Sequence, residues 1–77
     1  MIGKIRDFIL DDNFKIVINN DYIDITNYIV LYDVTDTFVF LSYDKGYIKI
    51  LGKNIKILMF NNKEILLKGD FNEIKYK

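Results

Sequence analysis

Carboxylates are abundant in this sequence and are the side chains that first suggest an acid–base pair or a metal site. The chain has nine aspartates and two glutamates. Most of the aspartates separate apolar segments, where a side chain that hydrogen-bonds nearby backbone favours a turn; these are Asp11, Asp12, Asp21, Asp33, Asp36, Asp44 and Asp70. The segment 33–37 comes nearest to a calcium loop, but it is too short for alternating oxygen ligands and a closing glutamate. We therefore predict no metal site and no catalytic carboxylate pair.

Nucleophiles and cofactor loops are equally scarce. The sequence contains no cysteine and no histidine, which excludes thiol catalysis, disulfides, Cys/His zinc sites and imidazole acid–base chemistry. Ser42 is the only serine and has no G-x-S-x-G context. The four glycines, at positions 3, 46, 52 and 69, do not cluster into a phosphate-binding loop. The sequence thus predicts a protein that is not an enzyme, with no catalytic, cofactor-binding or metal-binding residue.

The elements that organise the chain are short strands with period-two hydrophobic alternation. Alternating apolar residues occupy 48–50, 55–59 and 65–67, and the polar groups 52–54, 61–63 and 69–70 are interpreted as turns between them. Similar segments occur at 14–18, 22–25, 28–32 and 38–43. We predict one all-β domain spanning residues 1–77, with seven to eight short strands in a mostly antiparallel meander that forms a sandwich or a barrel-like sheet.

A repeat suggests an alternative architecture. A shift of 17 residues carries Ile48 onto Ile65, Ile50 onto Leu67 and Gly52 onto Gly69. A fixed period of this kind is typical of stacked coils, so a short β-solenoid is the second fold hypothesis. Two similar hairpins would give the same pattern.

The N-terminal segment predicts a short helix over residues 1–10. Ile2, Ile5, Phe8 and Ile9 recur at helical spacing and would form one apolar stripe. So short a helix is marginal alone, so it would pack on the sheet or contact a membrane surface or another protein. The sequence shows no signal peptide and no apolar run of about 20 residues, which predicts a cytoplasmic location.

The apolar and charged residues both suggest a partner. Hydrophobic residues make up 51% of only 77 positions, and Leu58 and Phe60 lie opposite Ile55 and Ile57 as part of a second apolar face. This surplus predicts binding to a protein partner or a homo-oligomer. Residues 1–44 carry a net charge of −5 and residues 45–77 carry +5. The two halves either interleave across strands, associate head to tail, or present lysines to anionic lipid or an acidic protein; the lysines at issue are Lys49, Lys53, Lys56, Lys68 and Lys75.

A small nucleic-acid-binding β-barrel is the alternative function from a different class. Aromatic residues lie near lysines in the sequence, at Tyr32, Phe38, Phe40, Tyr43 and Tyr47, where rings could stack on bases. The single arginine and the lack of a tight basic cluster disfavour nucleic acid as the partner. A self-assembling β scaffold is the third hypothesis.

Three blocks of sequence resemble a known family. They are ITNY at residues 25–28, KGYIKILGKNIKI at 45–57 and ILLKGDFNEIKY at 65–76. In their order and glycine spacing they resemble the YabP/YqfC family of small sporulation proteins, and the YqfC-like members in particular. The resemblance covers residues 14–76 and is closest at Asn27, Gly46, Gly52 and Gly69. The chain departs from the family pattern at Tyr28, where histidine is usual, at Ile55, where leucine is usual, and in a shorter N-terminal segment.

The resemblance implies a specific cellular role. Members of this family are non-enzymatic and act during endospore formation, in the mother cell at the forespore envelope. The YqfC-like branch works with a membrane protein encoded beside it. By this resemblance, the chain is expected to be cytoplasmic, peripheral to the forespore membrane, and without a cofactor.

Overall fold

The chain forms a single antiparallel β-sheet. The computed structural model describes residues 14–76, together with the backbone of residues 6–9. The strands are β1 (Arg6–Ile9), β2 (Lys15–Asn19), β3 (Tyr22–Thr26), β4 (Val30–Val34), β5 (Phe38–Tyr43), β6 (Gly46–Phe60) and β7 (Glu64–Tyr76). Their order in the sheet is β1-β2-β3-β7-β6-β5-β4, so two meanders are joined where β3 pairs with β7.

Two long strands connect the halves of the sheet. β6 has 15 residues and β7 has 13. β5 pairs with residues 46–51 of β6, whereas β3 pairs with residues 64–68 of β7, at the other end of the hairpin. The β6–β7 register shifts at three places between Leu51 and Met59, and Asn54 has a φ of 54°. Such irregularities bend a strand, so the sheet turns through the middle of this hairpin.

Two glycines allow β6 and β7 to approach each other in the bend. A Cβ atom on Gly52 would lie 2.4 Å from the carbonyl oxygen of Asp70, and one on Gly69 would lie 3.0 Å from Cα of Ile55. The prediction that 52–54 and 69–70 are turns between separate strands is therefore wrong, because β6 and β7 run through both segments. Gly46, with φ 153°, does follow the β5–β6 turn.

The core lies on one face of the bent sheet and draws on both halves. In one half, the cross-strand rows Ile16, Ile25, Ile65 and Ile18, Ile23, Leu67 are fully buried. In the other, Val39 pairs with Ile50 and Leu41 with Ile48. Each such side chain contributes about 1.5–3 kcal/mol of transfer free energy. All of them belong to one contiguous cluster, so the two halves stabilise each other.

The prediction of an all-β fold is confirmed, and finer parts of it change. The described residues form seven strands, six of them within residues 14–76, in one open sheet, so the predicted sandwich or barrel-like arrangement is not confirmed. The N-terminal helix is not confirmed, because Arg6–Ile9 forms strand β1 against β2; the rest of that predicted helix lies outside the described residues. The solenoid alternative is wrong. Ile48 lies opposite Tyr76 and Ile65 opposite Phe60 in an antiparallel hairpin, so residues 17 positions apart do not stack in successive coils.

Candidate interaction surfaces

No described strand pairs with the outer edge of β6 over its last residues. Among the described strands, β5 pairs with this edge only along residues 46–51. The β4–β5 turn covers the next part, since Gly52 N and Ile55 N donate hydrogen bonds to the carbonyl oxygens of Thr37 and Asp36 at 2.9 and 3.0 Å. Residues 56–60 continue beyond that cover and pair with β7 alone. Their outward backbone groups are therefore available to another strand.

The same segment exposes four consecutive apolar side chains, which we call the β6 strip. Ile57, Leu58, Met59 and Phe60 have exposed fractions of 42%, 50%, 39% and 56%. Consecutive strand residues point to opposite faces, so the end of β6 is apolar and exposed on both faces as well as along its edge. Leu58 and Phe60 were predicted as interaction residues, and the structure places both in this strip.

Tyr28 holds the end of the strip in place. Its ring stacks on Phe60 with the centroids 6.4 Å apart, and its hydroxyl donates a hydrogen bond to the carbonyl oxygen of Asn61 at 2.5 Å. Burial raises the pKa of the Tyr28 phenol. Asn61 Oδ1 in turn accepts bonds from the backbone N–H groups of Lys63 and Glu64. The β6–β7 turn is therefore stabilised by the Asn61 hydrogen bonds inside the turn and by Tyr28, which lies in the β3–β4 connection.

Asn27 belongs to the same connection between the two halves of the sheet. It adopts a φ of 65°, and its N–H donates to the carbonyl oxygen of Lys63 at 2.5 Å. Two residues on, Ile29 N donates to Ser42 O at 2.8 Å. A positive φ favours asparagine over most residues, which gives the Asn27 position a structural reason. Asn27 and Tyr28 therefore position the chain crossing and the β6–β7 turn.

A second surface, which we call the aromatic face, lies on the side of β4, β5 and β6 away from the core. Tyr32, Phe40 and Tyr47 contact one another, with ring centroids 5.4, 6.1 and 5.6 Å apart. Phe38 is the first residue of β5, and Lys49 Nζ lies 4.8 Å from the centroid of the Phe38 ring. Tyr43, also predicted as a stacking residue, lies elsewhere: it stacks on Phe14 at 4.5 Å and packs against the core.

A groove of about 660 Å³ runs beside these rings. Its lining residues are Asp33, Phe38, Phe40, Tyr47, Lys49 and Lys75. Lys49 and Lys75 lie directly opposite each other on β6 and β7. The sequence separates these two lysines by 26 positions, so their adjacency depends entirely on the register of the long hairpin.

The lysines predicted to form one basic face lie in different places. Lys49 faces the aromatic groove, whereas Lys56 lines a separate cavity of about 410 Å³ with Asp21, Lys68 and Asp70. Lys53 lies opposite Asp70 in the register of β6 and β7. Acidic residues of the first half of the chain thus lie beside lysines of the second half in both cavities. Across the described strands, however, no acidic residue of the first half lies directly opposite a lysine of the second half, and the register places Lys49 opposite Lys75 and Lys56 opposite Lys68. The interleaved alternative is therefore not confirmed.

A pair of carboxyl groups that sequence reasoning passed over lies on β3 and β7. Burial, a hydrogen bond with the Glu64 side chain and the charge of Glu64 raise the pKa of Asp24 to about 6, against the opposing effect of Lys15. Asp24 Oδ1 is buried without a hydrogen-bond partner. Asp24 stands between the buried Ile23 and Ile25, so alternation already marked it as a strand residue and not a turn residue. Its partner is 40 positions away and could not be read from the sequence.

Other predicted features are placed as follows. Ile2 and Ile5 lie outside the described residues, and Phe8 and Ile9 are described only as backbone positions of β1. The described residues contain no group of three or more carboxylates that could hold a metal ion. Within the same part of the chain, no helix has the length and hydropathy needed to cross a bilayer.

No protein-family model, curated protein or solved structure matches this chain.

Proposed function

We propose that this protein is a non-enzymatic interaction domain that binds a protein partner through the free end of β6. The single observation that supports this most is the coincidence of an uncovered strand edge with the four exposed apolar side chains of the β6 strip. The resemblance to the YabP/YqfC family suggests the partner: a membrane protein of the sporulation machinery, met by a cytoplasmic protein at the forespore envelope in the mother cell.

The proposed binding mode is addition of a partner strand to the sheet. Backbone hydrogen bonds from residues 56–60 would supply affinity that does not depend on sequence, and pockets for alternate side chains would supply specificity. The Phe60 ring and the other apolar side chains of the strip would be buried against side chains of the added strand on both faces of the sheet. Such an apolar edge is otherwise a hazard for aggregation, which gives the partner a stabilising role as well.

The test is light scattering behind a sizing column, on the protein alone and with the soluble part of the membrane protein encoded beside its gene. We expect a monomer that shifts into a complex of defined mass. Leu58→Lys and Phe60→Lys should abolish the shift, because each places a charge in the strip. Tyr32→Lys is the matched control, because Tyr32 is 52% exposed but lies on β4 in the other half of the sheet.

Two outcomes would contradict the proposal. Binding that survives both strip substitutions would move the interface elsewhere. A concentration-dependent oligomer that ignores the partner would support a self-assembling β scaffold instead, with the β6 edge pairing to a second copy.

A further inference from the structure

We propose that the groove on the aromatic face binds single-stranded nucleic acid, with bases stacked on Phe40 and Tyr47 and phosphate held by Lys49 and Lys75. This site is distinct from the β6 strip and does not depend on the function proposed above. The sequence alone disfavoured nucleic acid because its basic residues are not clustered. The fold adds Lys75, 26 positions away in the sequence, to the rings and to Lys49.

The rings form a platform and have no role in the core. Tyr32, Phe40 and Tyr47 lie on the outer face, while the buried Val39, Leu41 and Ile48 on the same strands face inward. Phe40 and Tyr47 are nearly parallel, at 18°. Because the three rings fill the space between one another, they cannot enclose a methylammonium group as an aromatic cage does. A flat ligand can stack on them, and every nucleobase has a face suited to this.

Lys49 and Lys75 place two positive charges beside the groove, where one anion can bind both. Like charges directly opposite each other on neighbouring strands are destabilising, and Lys49 and Lys75 occupy such a position beside the groove. A phosphate bound between them would remove that repulsion. Lys49 Nζ lies over the Phe38 ring, so the charge of Lys49 is held next to an aromatic side chain of the groove.

Asp33 distinguishes nucleic acid from other anionic partners. It lines the same groove and would repel any anion, including a phosphate, so only a neutral group with hydrogen-bond donors is favourable beside it. A carboxylate can instead accept hydrogen bonds from the amino group of a base such as cytosine. The combination of rings, paired lysines and one carboxylate therefore fits a base with its phosphate better than a surface that is negative throughout.

The test is fluorescence anisotropy with a labelled single-stranded oligonucleotide of mixed sequence, about 12 nucleotides long to span one β-sheet site. We expect saturable binding that weakens as salt rises, with a slope of about −1.4 in log K against log salt for two phosphate contacts on a single strand. The duplex of the same sequence should bind more weakly, because its bases are not free to stack on the platform.

Variants separate the two contributions. Phe40→Leu and Tyr47→Leu should each reduce affinity by about 5- to 150-fold, the range expected for loss of one stacked base. Lys49→Gln and Lys75→Gln should each lower the magnitude of the salt slope by about 0.7. Lys53→Gln is the matched control: it removes one lysine of the same strand outside the groove and should leave the affinity within twofold. The lysine variants are exposed, so they test the site even if a ring substitution disturbs folding.

Four results would overturn the proposal. One is the absence of binding at low salt, and another is binding that Lys49→Gln, Lys75→Gln and Tyr47→Leu all leave unchanged. The third is binding to vesicles of anionic lipid that exceeds binding to the oligonucleotide, which would assign the lysines to a membrane surface. A mononucleotide that binds as tightly as the oligonucleotide would also overturn the choice of a strand as ligand, and would assign the groove to free nucleotides.

The Leu58→Lys variant tests the two proposals separately. It should abolish partner binding and leave oligonucleotide binding intact. The failure of either proposal would therefore be visible without the failure of the other.

Discussion

A Cβ atom on Gly52 would lie 2.4 Å from the carbonyl oxygen of Asp70, closer than the non-bonded contacts that real Cβ atoms make. The two residues belong to β6 and β7, which are pressed together where the sheet bends. Gly52→Ala should therefore lower the free energy of unfolding by about 3 kcal/mol, because backbone and not a flexible side chain must move. Chemical denaturation followed by far-UV circular dichroism would measure this.

Two further variants give stability changes with which the Gly52→Ala result can be compared. Gly69→Ala should cost less, about 1–2 kcal/mol, because part of its contact is with the Ile55 side chain. Asn62→Ala, in the exposed β6–β7 turn, should change stability by less than about 0.5 kcal/mol. A Gly52→Ala protein as stable as the unmodified protein would mean that the strands are not in this close contact.

The Asp24 carboxyl should make stability depend on pH. Its pKa is raised from 3.8 to about 6 in the folded protein, first by burial and then by Glu64. Between those two values the folded state binds more protons than the unfolded state, so stability should fall as pH rises from about 4 to about 6 and then level off. Asp24→Asn should remove this slope and raise stability at pH 7 by about 1 kcal/mol, a figure reduced for partial solvation.

Denaturant midpoints measured across that pH range would check the Asp24 prediction. Asp36→Asn is the control, since Asp36 is an exposed residue of the β4–β5 turn and should leave the pH dependence as it is. If Asp24→Asn keeps the original slope, the group responsible lies elsewhere.

Tyr28→Phe should remove one hydrogen bond while keeping the ring on Phe60. The lost bond joins the Tyr28 hydroxyl to Asn61 O, and its removal should cost about 1 kcal/mol. Hydrogen exchange should accelerate mainly in the β6–β7 turn. Tyr32→Phe, which removes an exposed hydroxyl, should change neither stability nor exchange there. Equal effects from the two substitutions would argue against a specific anchor at Tyr28.

Ile55 and Ile57 form a matched pair on one strand. Ile55 is 5% exposed and Ile57 is 42% exposed. Ile55→Ala should cost about 2–4 kcal/mol, because it removes buried methyl groups and leaves a cavity, whereas Ile57→Ala should cost less than about 1 kcal/mol. Urea denaturation of both variants measures the difference. Similar costs would mean that the β6 strip is buried against something within the monomer.

Hydrophobic alternation predicted much of the core but not where it ends. Ile55, Ile57 and Met59 alternate in the sequence as one apolar set, yet only Ile55 is buried. β6 extends beyond the residues that pair with β5, and its register shifts between Ile57 and Met59. Period two describes which face a side chain takes along a regular strand, and it cannot show a bulge or the point where a neighbouring strand stops.

The helical spacing at the N-terminus was misleading for a related reason. Phe8 lies opposite Ile16 in the β1–β2 pairing, at a position where the sequence pattern predicted a helix. A ten-residue helix has little stability of its own, so pairing with β2 is enough to override its local pattern. The glycines were misassigned similarly: Gly52 and Gly69 read as turn residues, while the structure uses their lack of a side chain for close contact between strands.

The sequence by itself determined that the protein is all-β, that its chemistry excludes thiols and imidazoles, and that Asn61 begins a tight turn between two long apolar runs. These are local properties, set by side-chain period, residue inventory and turn propensity. Only the tertiary structure decided which strands are neighbours. The pairing of β3 with β7 brings Asp24 to Glu64, the register of β6 on β7 brings Lys49 to Lys75, and the length of β5 leaves the β6 strip uncovered. Alternation is satisfied by many strand orders, and only long-range hydrogen bonding together with burial of a shared core selects one.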